Sequence, residues 1–169
     1  MILRWLISAF ISVLLVALQS TWLNYISFMS VIPDLSLLFI IYLAFHSRGI
    51  KGQSVGFVAG LIEDSISASP LGLNAFLKSS IAFLANLLSG KFYIDKILMP
   101  AVFAILATIL KAILTIILAI FFKGKIQAYS FFSLTLWIEC AYNALAAPVL
   151  FLLLSPLNRF MFGVGLKNE

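Results

Sequence analysis

Six ionisable residues stand inside or against apolar sequence: Asp34, Glu63, Asp64, Lys78, Lys111 and Glu139. A charge in hydrocarbon is costly unless it is paired, so such residues do one of two kinds of chemistry. They neutralise one another and fix helix register, or they form a proton or ligand site at the centre of a bundle. Lys111 and Glu139 each lie fourteen residues from Lys125. An antiparallel hairpin turning there sets them at equal depth and predicts an intramembrane ion pair. Asp64 and Lys78 each lie seven residues from Leu71, which predicts a second acid–base pair with Glu63 as the competing partner. Register is the simpler reading of both.

Reaction-bearing constellations are missing from the sequence. There is no nucleophile elbow, no His-Glu-x-x-His, no Cys-x-x-Cys and no glycine loop beside a lysine and a serine. Glu63 and Asp64 are neighbours on a helix and point about 100° apart, so alone they make no aspartyl dyad. His46 is the only histidine and stands at a segment boundary, where it reads as a solvated interfacial residue and not as a metal ligand. The expectation is a protein that is not an enzyme and that carries no metal and no cofactor.

The element that must position the acidic pair is the stretch from Gly52 to Ala75. Gly52, Gly56 and Gly60 recur every four residues and lie along one helical face, and Asp64 continues the line. A smooth ridge of this kind lets a second helix approach closely, either inside the bundle or as a face for a partner. The sequence then turns at Ser-Ala-Ser-Pro-Leu-Gly-Leu-Asn, with Pro70 and Gly72 as the turn residues.

With 63% hydrophobic and 10% charged residues over 169 positions, and a mean hydropathy of +1.16, the chain reads as an integral membrane protein of one domain. Its net charge of +5 sits at the ends of apolar segments, which is membrane topology and not a nucleic-acid patch. Cys140, the single cysteine, lies in an apolar run and reads as a small packing residue.

Six spans are expected, at about 5–29, 35–46, 52–67, 74–90, 97–122 and 131–154. The first begins like a secretory signal, but no small-x-small cleavage site follows, so it reads as an uncleaved signal-anchor. Trp5, Trp22 and Tyr25 mark its depth. Pro33 followed by Asp34 opens the second span, with Asp34 as the N-cap. Pro100 stands in the first turn of the fifth span, and Pro148 is expected to kink the sixth. Six spans put both termini on one side. With that side cytoplasmic, Arg4, Arg48, Lys51, Lys91, Lys96, Arg159 and Lys167 face inward and only Lys123 and Lys125 face outward, seven against two. Asp34, Glu63 and Asp64 then fall at or near the outer face.

The middle of the chain resembles a known family. Pro33-Asp34-Leu35, an apolar span ending at a basic-glycine turn, Gly56 and Gly60, the acidic Asp64, and Pro70-Leu71-Gly72 with Ala75 shortly after look like bacterial rod shape-determining protein MreD. The resemblance runs over about 33–90. It implies a non-enzymatic membrane scaffold of the cell-elongation (rod) complex in the bacterial cytoplasmic membrane. Its partners would be an MreC-like periplasmic scaffold and, directly or through it, MreB and the rod-complex peptidoglycan synthases. The family is also similar in fold to the substrate-binding S components of energy-coupling-factor vitamin transporters, which supplies the alternative function. Against that alternative, the first span lacks the alanine-x-x-x-alanine pattern used to dock the coupling subunit, its nearest equivalent being Ser8-x-x-x-Ser12. On the scaffold reading the residues that bind a partner or pack the bundle are Asp34, Gly56, Gly60, Asp64, Pro70, Gly72 and Lys78.

Overall fold

The computed structural model describes every residue except 1, 23–24, 26, 30, 48, 68, 90–96, 123–125, 127–129 and 163–169, together with the side chain of 159. Arg48, Lys91, Lys96, Lys123, Lys125 and Lys167, which weigh on the expected topology, therefore lie outside the described residues, as does the side chain of Arg159.

The described chain is all helical apart from turns and one isolated antiparallel bridge between Phe28 and Val31. Six helices form the bundle: α1 (Ile2–Thr21), α2 (Leu35–His46), α3 (Lys51–Ile66), α4 (Leu73–Leu88), α5 (Leu98–Phe121) and α6 (Leu134–Leu154). A 3₁₀ turn, Ser155–Leu157, leads into the short α7 (Asn158–Phe162). Three helical stretches are long and apolar enough to cross a membrane: Ile2–Thr21, Leu98–Phe121 and Leu134–Leu157. Leu35–His46 and Leu73–Leu88 are shorter apolar helices.

Helix α2 is the axis of the fold. Its sequence is apolar on every side, which is the pattern of a helix with no solvent face, and Leu37 through Ala44 are each no more than 2% exposed. The five other bundle helices all pack on it. Leu38, Phe39 and Tyr42 of α2 meet Phe103 and Ala107 of α5, Leu150 and Phe151 of α6, and Leu15 of α1 in one continuous core. The outer faces are apolar as well, with Phe10, Phe83, Leu106, Ile120, Leu145 and Leu153 all exposed. An apolar exterior around fully hydrogen-bonded helices is what a bilayer requires.

Two details differ from the sequence expectations. Helix α1 stops at Thr21, short of the expected end near 29. Ser20 and Thr21 donate their hydroxyls to the carbonyls of Val16 and Ala17 in its last turn. His46 is not a solvated residue. Its ring is half-buried between Tyr42 and Phe162, with centroids 4.1 and 5.8 Å away, and its Nδ1 lies 2.9 Å from the Tyr42 carbonyl. Pro148 lies within α6 without ending it, and Cys140 packs with Ala112 and Leu136.

Candidate functional site

Asp34 holds the end of the bundle where α2 begins. Its Oδ1 accepts from the Leu37 amide at 3.0 Å and from the Ser36 hydroxyl at 3.2 Å, so it is the N-cap of α2. Its backbone amide donates to Asn143 Oδ1 of α6 at 2.8 Å, and Asn143 in turn donates to Thr108 of α5 at 2.9 Å. The cap is thus tied to two further helices before any charge is considered.

Two lysines converge on this carboxylate. Lys111 of α5 lies 2.8 Å from Asp34 Oδ2 and 2.9 Å from Glu139 Oε1 of α6. Lys78 of α4 lies 3.5 Å from Asp34 Oδ1, pairs with Glu63 of α3 and donates to Ser36. Gln19 of α1 closes the ring, donating to Glu63 Oε1 at 3.3 Å and accepting from the Ser36 amide at 3.4 Å. Every bundle helix therefore contributes to one connected network of three carboxylates and two ammonium groups. Lys78 and Asp34 are 1% and 3% exposed, so these charges are compensated by each other and not by solvent. Such cross-pairing locks the depth of each helix against its neighbours. Beside it opens a cleft of about 230 Å³, lined by Gln19, Val31, Asp34, Lys111, Thr135 and Glu139. Among the described residues no three histidine, cysteine or carboxylate side chains come together as a metal site would require.

Asp64 belongs to a different structure. The expected pairing of Asp64 with Lys78 does not form, because successive helical residues diverge by about 100° and Glu63 is the one turned toward α4's lysine. Asp64 faces the turn between α3 and α4. Its Oδ1 accepts from Ser69 Oγ at 3.0 Å, the Asn74 amide at 3.0 Å and Asn74 Nδ2 at 2.9 Å. Its Oδ2 accepts from the Gly72 amide at 2.9 Å and the Ala75 amide at 3.4 Å. Helix α4 has glycine at its own N-cap position and no capping side chain. The carboxylate of α3 fills that role across the turn and places a negative charge at the positive end of α4.

Gly72 is needed here for its conformation. Its φ of +91° is left-handed, which costs a residue with Cβ about 1 kcal/mol or more. Gly72→Ala is therefore expected to lower the melting temperature of the detergent-solubilised protein by a few degrees. An unchanged melt would show that the turn relaxes freely.

The glycine ridge faces inward. A Cβ on Gly52 would lie 3.2 Å from the backbone of Ala44 on α2, and one on Gly56 would lie 3.3 Å from Ile40 of α2 and from the Lys78 backbone of α4. A Cβ on Gly60 would collide with the backbone of Asn74 and Ala75. Pro70 and Leu71 form the exposed tip of the turn, Leu71 being 78% exposed. Of the residues singled out in the sequence, Asp34, Lys78, Lys111 and Glu139 come together in the network. Gly60, Asp64 and Gly72 come together at the turn, with Pro70 at its tip. Gln19, Ser36, Thr108 and Asn143 were not singled out. Gln19 and Asn143 carry a usable signal, each being an amide side chain within apolar sequence.

An all-helical membrane protein, built on a central buried helix and cross-braced by buried charges, is the class these features define. The chain belongs to the rod shape-determining protein MreD family, whose model matches residues 1–157. No curated protein and no solved structure matches it. Membership implies a role in determining rod shape, in a family of structural membrane proteins that is not a known enzyme family.

Proposed function

We propose that this protein is a non-enzymatic scaffold of the cell-elongation complex. It would be inserted as a multi-pass protein of about six spans in the bacterial inner membrane with both termini cytoplasmic. On this reading it binds an MreC-like periplasmic scaffold and, directly or through it, engages MreB and the peptidoglycan synthases of the rod complex. The observation that carries the proposal is the family match over residues 1–157.

The geometry favours a scaffold over a vitamin-binding S component. The charged side chains at the expected outer end are bonded to one another, and the polar cleft beside them, at about 230 Å³, falls below the usual range for a drug-sized ligand. The surface offered to a partner at that end is the turn after α3. Its exposed Leu71 stands beside an apolar groove formed with Phe76, Leu118 and Phe122.

Asp64 sets the shape of that surface. Asp64→Ala frees the amides of Gly72 and Asn74 at the membrane edge, where water takes over as acceptor. The variant is expected to insert and accumulate while partner capture falls about tenfold, equivalent to about 1.4 kcal/mol. The measurement is co-purification of the tagged protein from its own host in mild detergent, with partners identified by mass spectrometry. Recovery of a single-pass periplasmic coiled-coil protein with rod-complex members supports the scaffold. Recovery of paired cytoplasmic ATPases with a second membrane subunit would make it a transporter component. Undiminished capture by Asp64→Ala would remove the turn from the interface.

A further inference from the structure

At the end of the bundle away from the charge network, α7 meets the first turns of α1 and α3 and the last turn of α2. It is a helix of five residues. Met161 is its apolar anchor, 0% exposed and part of the main core. The rest of its hold is largely polar. Tyr42 of α2 donates to Asn158 Oδ1, Lys51 Nζ of α3 donates to the Met161 carbonyl at 2.8 Å, and Arg4 Nη1 of α1 donates to the Phe162 carbonyl at 3.2 Å. The Phe162 ring lies 5.8 Å from the His46 ring and 4.9 Å from Lys51 Nζ.

Lys51 is the unusual member of this set. It is enclosed beneath α7 and only 8% exposed, yet its ammonium is met by a carbonyl and a ring face. Among the described residues no carboxylate pairs with it or with Arg4. The charged and titratable residues of the elements that meet at this end are Arg4 on α1, His46 on α2 and Arg159 on α7, and none is acidic. A buried charge with no counter-charge loses more hydration than one carbonyl bond and one ring face return. The closed position of α7 is therefore opposed by the charge that it encloses.

We propose that α7 is a releasable strap whose closure is governed by the proton on Lys51. With the proton in place, closing α7 buries an ammonium near the Arg4 guanidinium. Without it, the neutral amine still donates to the Met161 carbonyl and the charge-burial cost is gone. Burial, and after it the Arg4 charge, push the Lys51 ammonium from its ordinary 10.5 down to about 8 with the strap closed. An open strap returns Lys51 to water and to its ordinary value. The closed form thus binds fewer protons, so closure is weakest below about pH 8 and strengthens as the pH rises from there toward the ordinary lysine value. Opening brings Lys51 to the surface and uncovers Tyr42 and His46.

The test uses the full-length protein in detergent, carrying Cys140→Ala and a nitroxide label at Phe160→Cys, a position on α7 that is 62% exposed. Immobile label reports the closed strap and mobile label the open one. Between about pH 7.5 and about pH 9.5 the ratio of immobile to mobile label is expected to rise at least about tenfold. Lys51→Met, neutral throughout, should hold the label immobile at both values. Lys51→Arg, charged throughout, should leave it mobile at both. A wild-type ratio that stays constant or falls as the pH rises would overturn the proposal, as would a rise that persists in Lys51→Arg. The wild-type titration carries the test even where a Lys51 variant does not accumulate, because an ordinary imidazole titrates below this window and His46 does not supply the change.

Discussion

Asp34→Ala is expected to lower the accumulation and the thermal midpoint of the folded protein sharply. The substitution removes the carboxylate shared by Lys78 and Lys111 and leaves each lysine one counter-charge, Glu63 for Lys78 and Glu139 for Lys111. The cost therefore falls below the about 3–5 kcal/mol of a buried charge left with none. Loss of the bond to the Leu37 amide, the cap of α2, adds about 1 kcal/mol. Together these take a substantial share of the stability of an ordinary domain. Asp34→Asn separates the two contributions, because its amide oxygen still caps α2 while the charge is gone, and it should fall between wild type and alanine. The readout is the monodisperse peak in detergent size exclusion, followed by its thermal midpoint. An Asp34→Ala protein that elutes and melts like wild type would show that the network does not hold the bundle together. The partners give a complementary contrast. Lys111→Leu alone takes the shared cation from Asp34 and Glu139 and leaves Asp34 with Lys78, whereas Lys111→Leu with Glu139→Leu removes opposite charges together and should recover accumulation. A double variant that accumulates but no longer supports rod shape would give the pair a role beyond helix register.

The same residues show how far sequence alone reaches. Helix positions follow from apolar runs bounded by proline, glycine and charge, and α2 through α6 occupy such runs. The exception is α1, whose apolar run continues past the helix end. Hydropathy records that a run is apolar and not where its backbone leaves the helix. Equal distance from a turn sets two residues at one depth, and Lys111 and Glu139 stand 2.9 Å apart. The same count applied to Asp64 and Lys78 selects the wrong carboxylate. Depth along an axis is a one-dimensional quantity, and the choice between Glu63 and Asp64 depends on rotation about that axis. Rotation is set by which face of α3 carries glycine against α4. Nor does counting within hairpins reveal that Asp34 lies between both lysines. That contact joins sequence positions 77 residues apart and depends on α2 lying at the bundle axis.

The glycine ridge makes the rotation of α3 testable as a graded series. Helices α3 and α4 form the most intimate pair in the fold because the ridge removes the side chains that would separate them. The three positions differ in what a methyl group would meet. At Gly52 and Gly56 the nearest atoms lie at 3.2 and 3.3 Å, a tightness that a shift of a few tenths of an ångström relieves. At Gly60 the added carbon meets the backbone of Asn74 and Ala75, which no rotamer change can clear. That backbone is also where Asp64 holds the start of α4. Separating the helices at Gly60 therefore strains the cap as well as the packing. Gly60→Ala is expected to cost about 3 kcal/mol, the upper part of the range for overpacking a close-fitted interior. Gly52→Ala and Gly56→Ala should cost less than about 1 kcal/mol each, because alanine's better helix propensity offsets part of the crowding. Thermal midpoints of the three variants in one detergent would place Gly60→Ala lowest by a wide margin. Equal midpoints across the series would mean that α3 and α4 do not approach through Gly60. The orientation of Glu63 toward Lys78, and of Asp64 toward the turn, would then have to be redrawn.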